Sequence, residues 1–280
     1  NVYVSGNYDS NFTLDGIRPI TNNGGTDAFI AKFNSNGNLL EHASFGSTGN
    51  DKIDDIEWGN GGVTAVGTFV NTIDIKGTAL NGLSGSNMFW ATFNNLLDTQ
   101  NAFSINTTGT ITINDIQSIN YSLFWVAGRI SGSAQFGTTT YENTGFLTNL
   151  VTYSNTPLQV YKYGRGQITR LSYLDGNTFG LLNFSGNSSI DDVAIGGTSK
   201  TSDVALFKFY NNHSSPYSPR FKWYKVYGDK DPDYSSLNYN DNISNTLFIK
   251  SAKEVLFPVK TYINANIDYA VGLYLKKYIE

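Results

Sequence analysis

The feature that most constrains this chain is a short pattern that returns about every sixty residues. A small or acidic residue followed by alternating aromatic and aliphatic positions reads Asp27-Ala28-Phe29-Ile30-Ala31-Lys32-Phe33, then Asn87-Met88-Phe89-Trp90-Ala91-Thr92-Phe93. Further copies are the degenerate run at 146–153, then Asp203-Val204-Ala205-Leu206-Phe207-Lys208-Phe209, then Asp268-Tyr269-Ala270-Val271-Gly272-Leu273-Tyr274. Anchored on Phe29, Phe89, Leu147, Ala205 and Ala270, the copies lie 60, 58, 58 and 65 residues apart. Self-similarity at such a period marks a supersecondary unit that buries its apolar faces against its neighbours.

Three further runs keep the same period. A β-rich stretch ending in Gly precedes the anchor, as Val2-Tyr3-Val4-Ser5-Gly6, Val63-Thr64-Ala65-Val66-Gly67 and Leu123-Phe124-Trp125-Val126-Ala127-Gly128, with fainter versions at 178–184 and 246–250. One run follows the anchor at 39–45, 98–105, 158–163 and 221–227, and another lies beyond it at 53–58, 111–119, 168–174 and 234–239. Each is short, rich in β-branched and aromatic residues, and bounded by turn formers, whereas no long window carries a helical apolar stripe. The expected fold class is therefore all-β, a β-propeller of about five four-stranded blades. It forms a single domain over 1–280, with repeats at about 1–50, 51–109, 110–165, 166–230 and 231–280. A β-solenoid has much shorter coils, and a tandem of sandwiches needs about a hundred residues per unit. Counting strands makes the first and last blades incomplete within this chain, by roughly one outer and one inner strand.

The first repeat carries a resemblance. Val2-Tyr3-Val4-Ser5-Gly6, followed by Gly24-Gly25-Thr26-Asp27-Ala28-Phe29-Ile30-Ala31-Lys32-Phe33-Asn34-Ser35-Asn36-Gly37, resembles the SBBP type of β-propeller repeat. The likeness is close through Phe45-Gly46 and Asn50-Asp51, partial in the second and fourth repeats, and faint in the third and fifth. It implies a propeller from an exported bacterial, phage or archaeal surface protein, and it implies no catalytic residues. Asn1 opens directly into an alternating run, which suggests a removed signal segment or a piece of a longer chain.

Composition narrows the chemistry. The net charge is −4 with no basic cluster, which disfavours nucleic acid, and no apolar run is long enough for a membrane helix. The absence of Cys removes disulfides, thiol catalysis and cysteine zinc sites. The only histidines are His42, in an alternating strand, and His213, in a polar loop, and no Gly-x-Ser-x-Gly elbow accompanies them. Asp229, Asp231 and Asp233 have the alternate spacing of a calcium loop, but Tyr234 and Asn240 stand where Gly and Glu belong. Asp51, Asp54 and Asp55 occupy a related turn in the first repeat without ligand spacing, so the acidic turn reads as structural. Sequons at Asn11, Asn106, Asn120, Asn183, Asn187, Asn212 and Asn242 do not exceed what composition yields. Gly59-Asn60-Gly61-Gly62 and Gly164-Arg165-Gly166 read as turns. Trp58, Trp90, Trp125 and Trp223 read as packing residues, and 214–220 as a projecting insertion.

The expectation is therefore a non-enzymatic exported propeller acting as a surface, adhesion or assembly module. It has no catalytic, cofactor-binding or metal residues assigned, and its partners are other proteins of a surface or secretion assembly. The alternative is a carbohydrate-binding propeller, with a glycan-active hydrolase behind it. The expected location is extracellular, on a cell or virion surface.

Overall fold

The computed structural model describes residues 1–59, 61–120, 122–154, 157, 159–174, 176–196, 202–212 and 215–227, with short strand segments from 242 to 277. The chain is all-β, and no helix occurs among the described residues. It divides into two compact units, residues 1–143 with 149–158, and residues 144–148 with 159–280.

The first unit starts with β1 (Val2–Tyr8), the short hairpin β2 (Phe12–Leu14) and β3 (Arg18–Ile20), β4 (Asp27–Phe33) and β5 (Leu39–Phe45). β1, β4 and β5 form a three-stranded antiparallel meander. A four-stranded meander follows: β6 (Lys52–Gly59), β7 (Gly62–Ile75), β8 (Thr78–Phe93) and β9 (Thr99–Ile105). Next come β10 (Thr110–Asn120) and β11 (Leu123–Ser131), an antiparallel pair, and the hairpin β12 (Ser133–Phe136) and β13 (Thr139–Glu142).

β14 (Gly145–Val151) is cut by the unit boundary, and its first half pairs with β15 (Val160–Tyr163) in the second unit. There β16 (Gln167–Leu174), β17 (Asn177–Ser185), β20 (Ser202–Asn212) and β21 (Ser215–Tyr227) make another four-stranded meander. The hairpin β18 (Ser188–Ile190) and β19 (Val193–Ile195) is inserted between its second and third strands. The remaining strands are β22 (Asn242–Ile243), β23 (Phe248–Ser251), β24 (Glu254–Leu256), β25 (Pro258–Thr261), β26 (Ala270–Leu273) and β27 (Lys276–Lys277). They pair as β22–β25–β26 and β23–β24–β27, and no described sheet closes on itself.

Burial explains why one meander is insufficient. Val63 to Phe69 on β7 and Met88 to Ala91 on β8 are buried residue after residue, so both faces of that sheet are covered. On one face Phe89 and Phe93 meet Phe45 of the preceding meander, the Phe45–Phe93 rings stacking at 5.8 Å. On the other, the Trp90 indole N–H donates to the Val151 carbonyl at 3.2 Å. Burying a large apolar side chain contributes about 1.5–3 kcal/mol, so Phe45, Phe89 and Trp90 are the main glue between consecutive meanders.

The registers show what the repeated Gly and Phe do. Gly6 faces Phe29 and Gly67 faces Phe89 across the ladder, and a Cβ on either glycine would run into the phenyl ring. In the fourth repeat the corresponding pair is Leu182 and Ala205, with large and small exchanged between strands. The glycine–phenylalanine couple reappears two positions away as Gly180 and Phe207. Pair volume is retained, which cores tolerate, while the one-strand motif is scrambled.

The inserted hairpins are a feature the sequence reading passed over. They recur between the second and third strands of each described repeat: β2–β3, the far ends of β7 and β8, β12–β13, and β18–β19. Their tips need a left-handed backbone, met by Asp15-Gly16, Lys76-Gly77, Gly137 and Asp191-Asp192, all at positive φ. Their apolar sides are buried through Ile20, Ile73, Ile75, Phe136, Ile190 and Ile195.

Candidate functional site

Most polar residues that stand out in the sequence are engaged in holding loops. Asp27 and Asn87, at the head of the third strand in their repeats, are both fully buried. Each side chain accepts the backbone N–H four residues upstream, Asn23 to Asp27 at 2.6 Å and Leu83 to Asn87 at 3.1 Å. Asn87 also takes the Thr107 N–H, twenty residues downstream, at 3.0 Å. Asn87 further donates to the carbonyls of Phe69, Leu83 and Gly85. Asp27 has no N–H to give, and Asn22 supplies the amide instead, donating to Tyr8 and Gly25 at the matching places. Where Asn22 stands in the first repeat, the second has Gly82, whose Cβ would strike the Asn87 amide. Asn34 and Asn94 act alike in the next turn, each folding its side chain onto the N–H groups two and four residues ahead.

The acidic turn of the first repeat is dispersed by the structure. Asp51 is buried and accepts the Val70 N–H. Asp54 occupies a β-bulge between Ile53 and Asp55 and pairs with Lys52 at 2.7 Å. The same bulge recurs in the first strand of the next two repeats, between Ile113 and Asp115 and between Ile168 and Arg170. Asp55 accepts the Ile116 N–H at 3.3 Å, and the Ser118 amide offsets part of the rise in pKa of Glu57, two residues on. A carboxylate of β6 thus clips an amide of β10, joining strands that share no ladder. Burial, with Asp55 alongside, pushes the Glu57 carboxyl up to about 7.

This fixes a pH dependence. The folded state holds the Glu57 proton more tightly than the unfolded chain, whose carboxyl ionises near the ordinary glutamate value. Stability therefore falls as pH rises from about 4.5 to about 7 and levels off above. Because Glu57 is only partly buried, the expected loss is about 1 kcal/mol between pH 5.5 and 8. Urea midpoints of the wild type and Glu57→Gln at both pH values check this. A Gln variant with an undiminished pH slope would assign the effect elsewhere.

The other nominated residues are placed as follows. His42 is half-buried on β5 opposite Ala31, and burial with the nearby cations Arg18 and Lys76 lowers its pKa. His213, Asp229, Asp231, Asp233, Tyr234 and Asn240 lie outside the described residues. Gly59 and Gly62 face each other across the β6–β7 turn, with Gly61 in the left-handed region, and Gly166 likewise turns the chain into β16. Residues 215–220 belong to strand β21, where Ser215 pairs with Asn212 and Arg220 with Tyr210, so that 216–219 stand opposite the single residue Asn211. Among the described residues no group of three or more histidine and acidic side chains is arranged to hold a metal. No described helix is long and apolar enough to cross a membrane.

The tryptophans divide. Trp90 and Trp125 are buried, as expected of packing residues, and the Trp223 side chain lies outside the description. Trp58, expected in a core, is 49% exposed at the end of β6. Its indole leans on the Tyr3 ring of β1, centroids 5.2 Å apart and planes 35° from parallel. The Lys32 ammonium sits 5.7 Å from the centre of the same Tyr3 ring and donates to the Asn95 carbonyl at 2.8 Å. The Tyr3 hydroxyl donates to the Asn95 side-chain oxygen at 3.3 Å, and the neighbouring Leu96 is exposed. Four separate chain segments thus converge on an aromatic surface rimmed by hydrogen-bond donors. Alternating strand pattern alone could not separate Trp58 from Trp90. The hint was the adjoining turn, Gly59-Asn60-Gly61-Gly62, which ends the strand. No family model matches the chain, and no curated protein is significantly similar to it.

Proposed function

We propose that the chain is a non-enzymatic β-propeller of about five four-stranded blades, exported and working as a surface, adhesion or assembly module. The observation that carries this reading is the double-sided burial of the β6–β9 meander, against Phe45 on one face and the Val151 segment on the other. A sheet that needs a neighbour on each face is the unit from which radial stacks are built, and a closed ring leaves no terminal face exposed. The recurring bulge, the recurring inserted hairpin and the matched large–small pairs favour equivalent repeats. The resemblance of residues 2–37 to exported surface propellers supports the location.

Loops set on a rigid stack suit recognition better than turnover. The Asp55 carboxylate is spent on the Ile116 amide of β10. Small-angle scattering tests the architecture: a closed propeller of this length has a radius of gyration of about 19 Å. A clearly larger value would mean an extended row of meanders and overturn the ring.

A second reading, a carbohydrate-binding propeller, is favoured by one observation, the exposed Trp58 beside Tyr3.

A further inference from the structure

The tilted pair of Tyr3 and Trp58, with Lys32 and Asn95 beside it, has a chemistry of its own. An indole about half open to solvent at the end of a strand, braced by a second ring, offers an apolar face that does not collapse. Tyr3 is held on its other side by the core beneath β4 and β7, and its hydroxyl is fixed by Asn95, so the platform is preorganised. The donors converge from one side. Lys32 uses one N–H on the Asn95 carbonyl, and Asn95 commits its side-chain oxygen to Tyr3, which leaves its NH2 group toward solvent. Lys32 is 8% exposed as a whole and its ammonium is held by the Asn95 carbonyl, so its charge has a fixed place beside the Tyr3 ring.

We infer that Tyr3, Trp58, Lys32 and Asn95 form a glycan-binding site that stacks the C–H face of a pyranose on Trp58 and hydrogen-bonds its hydroxyls or carboxylate through Lys32 and Asn95. A pyranose has the required two-sidedness, an apolar face for the rings and ring-edge oxygens for the donors. A protein partner fits less well. Val2 and Val4 alternate with Tyr3 and so belong to the opposite face of β1, leaving two rings and Leu96 as the apolar patch. That is far short of the roughly 800 Å² per partner of a stable protein interface. The assignment rests on the carbohydrate-binding reading above and narrows it to one site.

The test is retention of the full chain on immobilised neutral hexose oligomers, N-acetylhexosamine oligomers and uronic-acid polymers, with tryptophan emission followed on titration. Wild-type protein should bind at least one class, with a shift in emission from the exposed indole. Trp58→Ala should weaken that binding at least tenfold and Trp58→Phe by less, with thermal midpoints unchanged because the side chain is half exposed. Preference for the uronic-acid arm would assign the Lys32 contact to a carboxylate, and preference for the neutral arms to hydroxyls. If Trp58→Ala binds sugar as tightly as wild type, this site is wrong while the carbohydrate reading survives. If the wild type binds none of the three classes, both fall.

Discussion

Replacing Asn87 by leucine is expected to lower the unfolding free energy by about 4 kcal/mol or more, the largest effect of any single polar substitution in the first unit. The side chain is fully buried and makes five hydrogen bonds, two accepted and three donated. Leucine has nearly the same size, so the loss is not one of volume. It strands the Thr107 N–H and the Phe69 carbonyl in the interior, and removes the partner of the part-buried Leu83 N–H and of the Leu83 and Gly85 carbonyls. Each stranded group costs about 1–3 kcal/mol, reduced where the loop relaxes toward solvent. A urea titration followed by tryptophan emission reads the change, since Trp90 lies three residues away in the same strand.

The first repeat sharpens this into a test of mechanism. Asn87→Asp keeps the two accepted bonds and deletes the three donated ones, so it should recover only part of the stability. Asn22 shows how the chain solves that deficit, by donating from position 22 to the carbonyls that face Asp27. Adding Gly82→Asn to Asn87→Asp rebuilds the arrangement of the first repeat in the second. The double variant should be more stable than Asn87→Asp by about 1 kcal/mol or more, although Gly82→Asn alone is destabilising because its Cβ strikes the Asn87 amide. A double variant no better than Asn87→Asp would mean that the two repeats are not exchanging equivalent donors.

The same comparison indicates what could be read from the chain and what could not. Strand positions were legible because period-two alternation is local: the runs at 39–45, 53–58 and 98–105 match β5, β6 and β9 to within a residue or two. The inserted hairpins were legible in principle, since Gly16, Gly77 and Gly137 mark their tips at spacings of 61 and 60. They were missed because the strands they join are only three or four residues long, or merge into β7 and β8. The run at 178–184 is a fainter version of the Gly-ending pattern because large and small residues of the fourth repeat are exchanged between strands, a change visible only across the ladder. The grip of Asp55 on β10 joins residues about sixty apart through a backbone amide, which carries no residue identity at all. Trp58 and Trp90 differ in what lies over them, and that is decided by the neighbouring meander.

The glycine–phenylalanine pairs yield the second large effect and separate two reasons for a glycine within a strand. At Gly67 a Cβ would collide with the Phe89 ring and also with the Lys52 backbone carbonyl. At Gly6 it would meet the Phe29 ring alone. Both Gly→Ala variants overpack a filled space, and about 2–3 kcal/mol of destabilisation is expected for each. The rescue should differ. Combining Gly6→Ala with Phe29→Leu removes the only obstacle, so the pair should cost less than the sum of the single changes by about 1 kcal/mol or more. Combining Gly67→Ala with Phe89→Leu leaves the Lys52 carbonyl in place, and backbone held in a ladder cannot move aside as a ring can. Phe89 is also packed against Phe45 and Phe69, so its truncation opens a cavity that a single methyl group fills poorly. The expected coupling at Gly67 is therefore near zero, measured as the difference in urea midpoint free energies around each cycle. Equal coupling at both sites would show that ring contact, not backbone approach, governs the two glycines alike.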